Sequence, residues 1–122
     1  MDDVELAALD YCYVTTTGRT SGRPHTIEIW FGFDEGTVYL LSGGGDASDW
    51  VKNVLANPTV GLRLGDRDMI CRARIVADPD EDARARGLLL EKYRSRSTDD
   101  LEEWGQTAVP VAIDLPAAPE AG

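Results

Sequence analysis

The sequence is short of positive charge, histidine, cysteine and long apolar runs, and each shortage argues against a class of function. Lysine and arginine total 12 against 22 acids, so the 122-residue chain carries a formal charge of -10. Binding nucleic acid without sequence preference needs a basic face that displaces counterions, and this balance argues against it. An anionic membrane surface is disfavoured for the same reason. The single histidine, His25, and the two cysteines, Cys12 and Cys71, show no metal-ligand spacing, so no metal site is expected. Both cysteines lie in apolar, strand-like runs and read as buried thiols. No apolar stretch approaches transmembrane length, and Met1-Asp2-Asp3-Val4-Glu5 is acidic where a signal peptide would be basic. A cytoplasmic protein is expected.

What is present fits one domain with a modest core, of the size that gains stability from a partner subunit or a cofactor. The barrel-forming part spans 1–115, and the Ala/Pro tail 116–122 reads as disordered. A short helical turn is expected from Val4 to Leu9. Tyr11 to Thr17 is aromatic or β-branched and suits a strand. Gly18 to Gly22 breaks it. In the next run, Ile27, Ile29, Phe31 and Phe33 alternate with Glu28, Trp30 and Gly32, so one face is buried. Asp34-Glu35-Gly36 turns into Thr37 to Leu41, and these three strands read as an antiparallel meander.

Ser42-Gly43-Gly44-Gly45-Asp46 follows, dense in glycine. A helix is expected over Ser48 to Leu55, with Ser48 as N-cap and Trp50, Val51, Val54 and Leu55 on one face. Thr59 to Leu64 and Asp68 to Val76 flank a hairpin turn at Gly65-Asp66-Arg67. Asp78-Pro79 starts a second helix that runs through Leu88, Leu89, Leu90 and Tyr93, weakened by Gly87. Ser95 to Asp100 reads as a loop and Leu101 to Trp104 as a helical turn. Val109 to Leu115 is the last strand, and Pro110 suggests a sheet edge or bulge. Six strands with two or three short helices can close into a small antiparallel barrel, a mainly β fold of the α+β type.

Chemistry points first to the hairpin Thr15-Thr16-Thr17-Gly18-Arg19-Thr20-Ser21-Gly22-Arg23-Pro24. No acid lies between Asp10 and Glu28, so Arg19 and Arg23 form a positive island in an acidic chain. Glycines free backbone N–H groups, hydroxyls add donors and arginine supplies a planar fork, which together suit an anion. Composition alone favours an ordinary surface turn over such a cradle, and P-loop spacing is absent. The Ser42 to Gly45 amides are a second candidate, with Lys52 and Asn53 on the following helix as added polar contacts. No Ser-His-Asp or Cys-His arrangement can be argued, so no catalytic side chain is assigned. A chain without evident acid, base or nucleophile can leave the chemistry to a cofactor.

Four segments, in order and with compatible spacing, resemble the deazaflavin-dependent nitroreductase family of the split β-barrel flavin and deazaflavin oxidoreductases. They are T-T-T-G-R-T-S-G-R-P at Thr15 to Pro24, Ser42-Gly43-Gly44-Gly45, W-V-K-N-V-L-A-N-P at Trp50 to Pro58, and W-G-Q-T-A-V-P-V-A-I at Trp104 to Ile113. The resemblance implies a six-stranded, FMN-binding-like split barrel. It implies cofactor F420 or, in related branches, FMN. It implies hydride transfer between the reduced cofactor and a small organic acceptor, a quinone or nitro compound, or else a binding protein without turnover. Arg19, Thr20, Ser21, Gly22, Arg23 and Pro24 would hold the phosphate and tail. The ring would lie against Tyr13, Val14 and Thr15, against Ile29, Trp30 and Phe31, and against Leu41, Ser42 and Gly43. Gly44, Trp50, Lys52 and Asn53 complete the expected cofactor site. Small split barrels often pair, so a homodimer is the expected assembly.

Departures from the family pattern carry expectations too. Thr20 stands where many members have a basic residue, implying a cradle that prefers a shorter or less anionic tail. Glu28 stands where proline is common, and its carboxylate is expected either to face solvent or to repel a polyglutamate tail. The chain opens almost at its first strand, so the N-terminal helical segment that covers substrate in some members is expected to be missing. Ser95, Arg96, Ser97, Thr98 and Leu101 stand where the family clusters tyrosines, so the substrate class does not carry over.

Overall fold

The computed structural model describes residues 3–43, 48–94, 101 and 108–115. Helix α1 (Asp3–Ala8) leads into β1 (Cys12–Thr17), β2 (Pro24–Ile29), β3 (Gly32–Asp34) and β4 (Thr37–Ser42). Helix α2 (Asp49–Ala56), β5 (Thr59–Leu64), β6 (Arg67–Ile75), α3 (Pro79–Arg94) and β7 (Val109–Asp114) follow. All strands join one antiparallel sheet in the order β2-β1-β5-β6-β7-β4-β3. The sheet curls into the split barrel that the sequence implied.

Seven strands arise from six strand-like runs because the run beginning at Pro24 breaks at Trp30–Phe31. The cause is the phenol of Tyr93 on α3. The Phe31 main-chain N–H donates to Tyr93 Oη at 3.0 Å, and the Phe31 carbonyl accepts from Lys92 Nζ at 3.0 Å. Phe31 therefore satisfies its backbone against a helix and needs no neighbouring strand. Trp30 turns onto the Tyr93 ring in a stack with centroids 4.2 Å apart. The expected meander is corrected accordingly: the β1–β2 and β3–β4 hairpins stand at opposite ends of the sheet.

Pro110 was expected at an edge or bulge, but β7 is interior, between β6 and β4. The strand tolerates proline there because the β6–β7 ladder ends at Ile75↔Val111, one residue short of it. The Pro110 carbonyl still accepts from the Val76 N–H at 3.0 Å.

Two cores explain the apolar patterning. Val14, Phe31, Val38, Leu40, Val51, Val60, Leu62 and Ile113 fill the barrel. Tyr39, Leu41, Ala85, Leu89, Tyr93 and Ala112 form a second core under α3. Strand β4 contributes to both, so its two faces are apolar and its sequence does not alternate. Cys12 and Cys71 are buried free thiols, as expected, and burial pushes the Cys12 thiol up to about 12.

Helix α3 starts as the Asp78-Pro79 pair predicts, with Asp78 Oδ2 accepting from the Glu81 N–H at 3.1 Å. Its first turn is tied to the sheet by Arg74, whose guanidinium bridges Glu81 at 2.6 Å and Asp114 at 2.9 Å. The Arg74 hydrogen bond holds the Glu81 carboxyl down at about 2 and lowers that of Asp114 as well. At α2, two expectations change. Ser48 occupies the N-cap position, but its side chain caps nothing and bonds Ser42 Oγ at 2.8 Å. Leu55 is solvent-exposed, and Asn53 takes the buried place beside Val51 and Val54.

Candidate functional site

The hairpin and α2 are built to meet. The Gly18 N–H donates to the Arg23 carbonyl and the Gly22 N–H to the Gly18 carbonyl, each at 2.8 Å, closing a tight loop. Gly22 sits at φ 72°, in the left-handed region that favours glycine. Gly18 is needed for space: a Cβ there would lie 2.8 Å from Ser21 Oγ and 2.9 Å from His25 Nε2.

Across from this loop, Asp49 and Asn53 stand one helical turn apart on α2. Asn53 is buried and bonds in three directions. Its Oδ1 accepts from Arg19 Nη1 at 2.9 Å and from the Arg19 main-chain N–H at 3.2 Å. Its Nδ2 donates to Thr16 Oγ1 at 3.1 Å. Arg19 Nη2 also pairs with Asp49 Oδ1 at 3.3 Å. A cavity of about 490 Å³ opens between the two elements. Gly18, Arg19, Thr20, Ser21 and His25 line one side; Asp49, Trp50 and Asn53 line the other; Thr16, Thr26 and Ile27 complete the wall.

This cavity brings together Arg19, Thr20, Ser21, Trp50 and Asn53 of the expected cofactor residues. Gly22, Arg23, Pro24 and Lys52 are exposed and outside its lining. The Arg23 guanidinium makes no hydrogen bond or ion pair with the described residues. Tyr13 and Thr15 project from the outer face of β1 into a separate hollow with Thr26, Arg63 and Asp68. Val14, Phe31, Leu41 and Ser42 have buried side chains, and Ile29 packs against the barrel core. Trp30 lines a third hollow with Ala8, Asp10, Tyr11 and Tyr93. Gly43 is exposed, and Gly44 lies outside the described residues. So do Gly45, Asp46, the 95–100 loop, the Trp104 to Thr107 part of the last motif and the tail.

Glu28 faces the outer sheet surface, away from the cavity, and accepts from Tyr13 Oη at 2.7 Å. That hydrogen bond raises the Tyr13 phenol above its ordinary value. The carboxylate at the cavity is Asp49 instead. Thr16 and Gly18 fall in the hairpin segment singled out from sequence, whereas His25, Thr26, Ile27 and Asp49 were not singled out as ligands. The usable signal was the Asp49/Asn53 spacing of one turn, but only tertiary structure shows which loop that helix face meets. Among the described residues, no cluster of three metal-ligating side chains occurs.

The arrangement can hold an anion, since it pairs a guanidinium with two hydroxyl side chains on a loop. The sequence model of the F420H(2)-dependent quinone reductase family matches residues 4–116. Among solved structures, an F420-H2-dependent reductase is 21% identical, covering 86% of this chain and 94% of its own, with a TM-score of 0.69. A conserved hypothetical protein from Mycobacterium tuberculosis is 22% identical, with coverage of 100% and 93% and a TM-score of 0.70. A protein described as a domain-swapped dimer is 23% identical, with coverage of 86% and 80% and a TM-score of 0.70. At these identities the three structures share the fold.

Proposed function

The chain belongs to the F420H(2)-dependent quinone reductase family, and from that premise we propose that the cavity between the β1–β2 hairpin and α2 holds the phosphate and tail of F420. The protein is an F420-dependent oxidoreductase, and of the two cofactors open from sequence the family match favours F420 over FMN. When bound, F420 supplies hydride transfer to or from a small organic molecule. The donor set fits its anionic part: one guanidinium, the Thr20 and Ser21 hydroxyls, and a glycine whose missing Cβ lets Ser21 and His25 close in.

The observation that carries this reading is the buried Asn53 amide, which fixes Arg19 by both its main chain and its guanidinium. A cation held in place loses little freedom when it meets an anion. Ile27 and Trp50 give the cavity apolar wall. Gly22, Arg23, Pro24 and Lys52, exposed beside it, would meet a tail that leaves the cavity. For the ring, Tyr13 to Thr15, Ile29 to Phe31 and Leu41 to Gly43 remain the proposed surroundings. There Val14, Phe31, Leu41 and Ser42 act as rigid backing, not as ligands.

A quinone is the proposed acceptor, since the family is described by that substrate. The test is anaerobic mixing of the protein with reduced F420 and a soluble quinone, following F420 absorbance. Quinone-dependent reoxidation above the protein-free rate supports the proposal, and a rate unchanged by protein refutes it.

A homodimer is the proposed assembly. One structural neighbour is described as a domain-swapped dimer, and the sheet exposes Tyr13 and Ile70 on its outer face. Sedimentation equilibrium returning only the 13.3 kDa chain mass would end that proposal. Among the described residues, no helix is long and apolar enough to cross a membrane. We place the protein in the cytoplasm, where Cys12 and Cys71 remain thiols.

A further inference from the structure

We propose that Asp49 is a specificity-determining residue that limits how much negative charge the bound cofactor tail can carry. This rests on the reading of the hairpin–α2 cavity as the F420 cradle. Among the described residues that line the cavity, Arg19 is the one cation and Asp49 the one carboxylate. They face each other: Arg19 Nη2 lies 3.3 Å from Asp49 Oδ1, and Arg19 Nη1 lies 3.4 Å from the Asp49 carbonyl. The cradle is therefore charge-balanced before any ligand arrives, in a chain whose net charge is already -10.

The pair is not a buried lock. The Asp49 side chain is 87% exposed and that of Arg19 37%. Exposed pairs of this kind are weak and salt-screened, so an incoming phosphate can take over the guanidinium. The geometry of Arg19 does not depend on Asp49 either, because Asn53 holds it through a buried amide. What remains after phosphate binds is a free carboxylate at the cavity rim. It faces a ligand that carries a phosphate charge and tail carboxylates, and each further glutamate in the tail adds one more negative charge. Each added glutamate raises the repulsion, while a ligand without phosphate or tail escapes it.

The alternative role, Asp49 as a support for Arg19, predicts the opposite sign. The test is a fluorescence titration of wild type and Asp49→Asn at low ionic strength. Three ligands are used: short-tailed F420, long-tailed F420, and the deazaflavin nucleoside that lacks phosphate and tail. Asparagine keeps the side-chain shape and is tolerated at a helix start. The expected result is tighter F420 binding by Asp49→Asn, by about two- to fivefold. The gain should be larger for the longer tail, should shrink on adding salt, and should vanish for the nucleoside. Equal or weaker F420 binding by the variant would overturn the inference, as would an equal gain for the nucleoside. Failure of the wild type to bind F420 at all would instead overturn the cradle assignment beneath it.

Discussion

Replacing Arg19 with alanine weakens F420 binding by about 1–3 kcal/mol, the scale for losing a charge-assisted hydrogen bond. At 25 °C that is roughly a five- to 150-fold rise in Kd. The argument has two parts. Among the described residues Arg19 is the only cation lining the cavity, so no second cation among them takes its place. The fold itself survives the change. The ion pair with Asp49 is solvent-exposed and of the class that contributes little stability. The Arg19 main-chain bond to Asn53 at 3.2 Å is unaffected, so the loop stays docked. A fluorescence titration reads the result, with the deazaflavin nucleoside as control. An unchanged F420 affinity in a folded Arg19→Ala protein refutes the phosphate role.

The second large effect lies at Tyr93. Its phenol oxygen accepts from the Phe31 N–H at 3.0 Å. Its proton can go to the Asp10 carbonyl at 2.7 Å or to the Phe31 carbonyl at 3.0 Å. The ring is buried in the core under α3 and stacks on Trp30. Tyr93→Phe keeps the ring and strands the Phe31 N–H, so it costs about 1–3 kcal/mol of unfolding free energy. Tyr93→Ala adds a cavity and loses the stack, and costs about 3–5 kcal/mol. Urea unfolding measures both. If Tyr93→Phe stays within about 0.5 kcal/mol of wild type, typical of a surface substitution, the phenol does not hold the strand break together.

That break also shows where sequence reading stopped. Ile27, Ile29, Phe31 and Phe33 keep period-two alternation, and alternation alone gives one continuous strand. The interruption comes from Tyr93, more than sixty residues later in the chain. Propensity and pattern are local, and this bond is not. Both two-residue hairpin turns, by contrast, were legible because their cause is local. Glu35 and Gly36 lie at φ 48° and 79°, and Gly65 at 61°. Only a turn with left-handed residues fits there, and glycine marks it. The Asp78 cap was legible for the same reason.

The candidate site divides along the same line. Arg19, Thr20 and Ser21 stood out because turn chemistry and charge are written in neighbouring residues. Asn53 was noted as a polar contact of a helix face, but its burial against Thr16 and Arg19 is a tertiary fact. Asp49 was missed as a ligand-facing group, and of the two roles open to Glu28, facing solvent or repelling a tail, its place on the outer surface matches the first. Their positions in the chain do not reveal which side of the sheet each faces. Pairing of Tyr13 with Glu28 on the outer surface does.

A crystal structure of the protein with F420 tests the central claim most directly, because the described residues line other hollows besides the hairpin–α2 cavity. Electron density for the phosphate should contact Arg19 and the Thr20–Ser21 segment, in the cavity closed by Asn53. A phosphate found instead beside Tyr13 and Arg63, or beside Tyr11 and Trp30, would contradict the account.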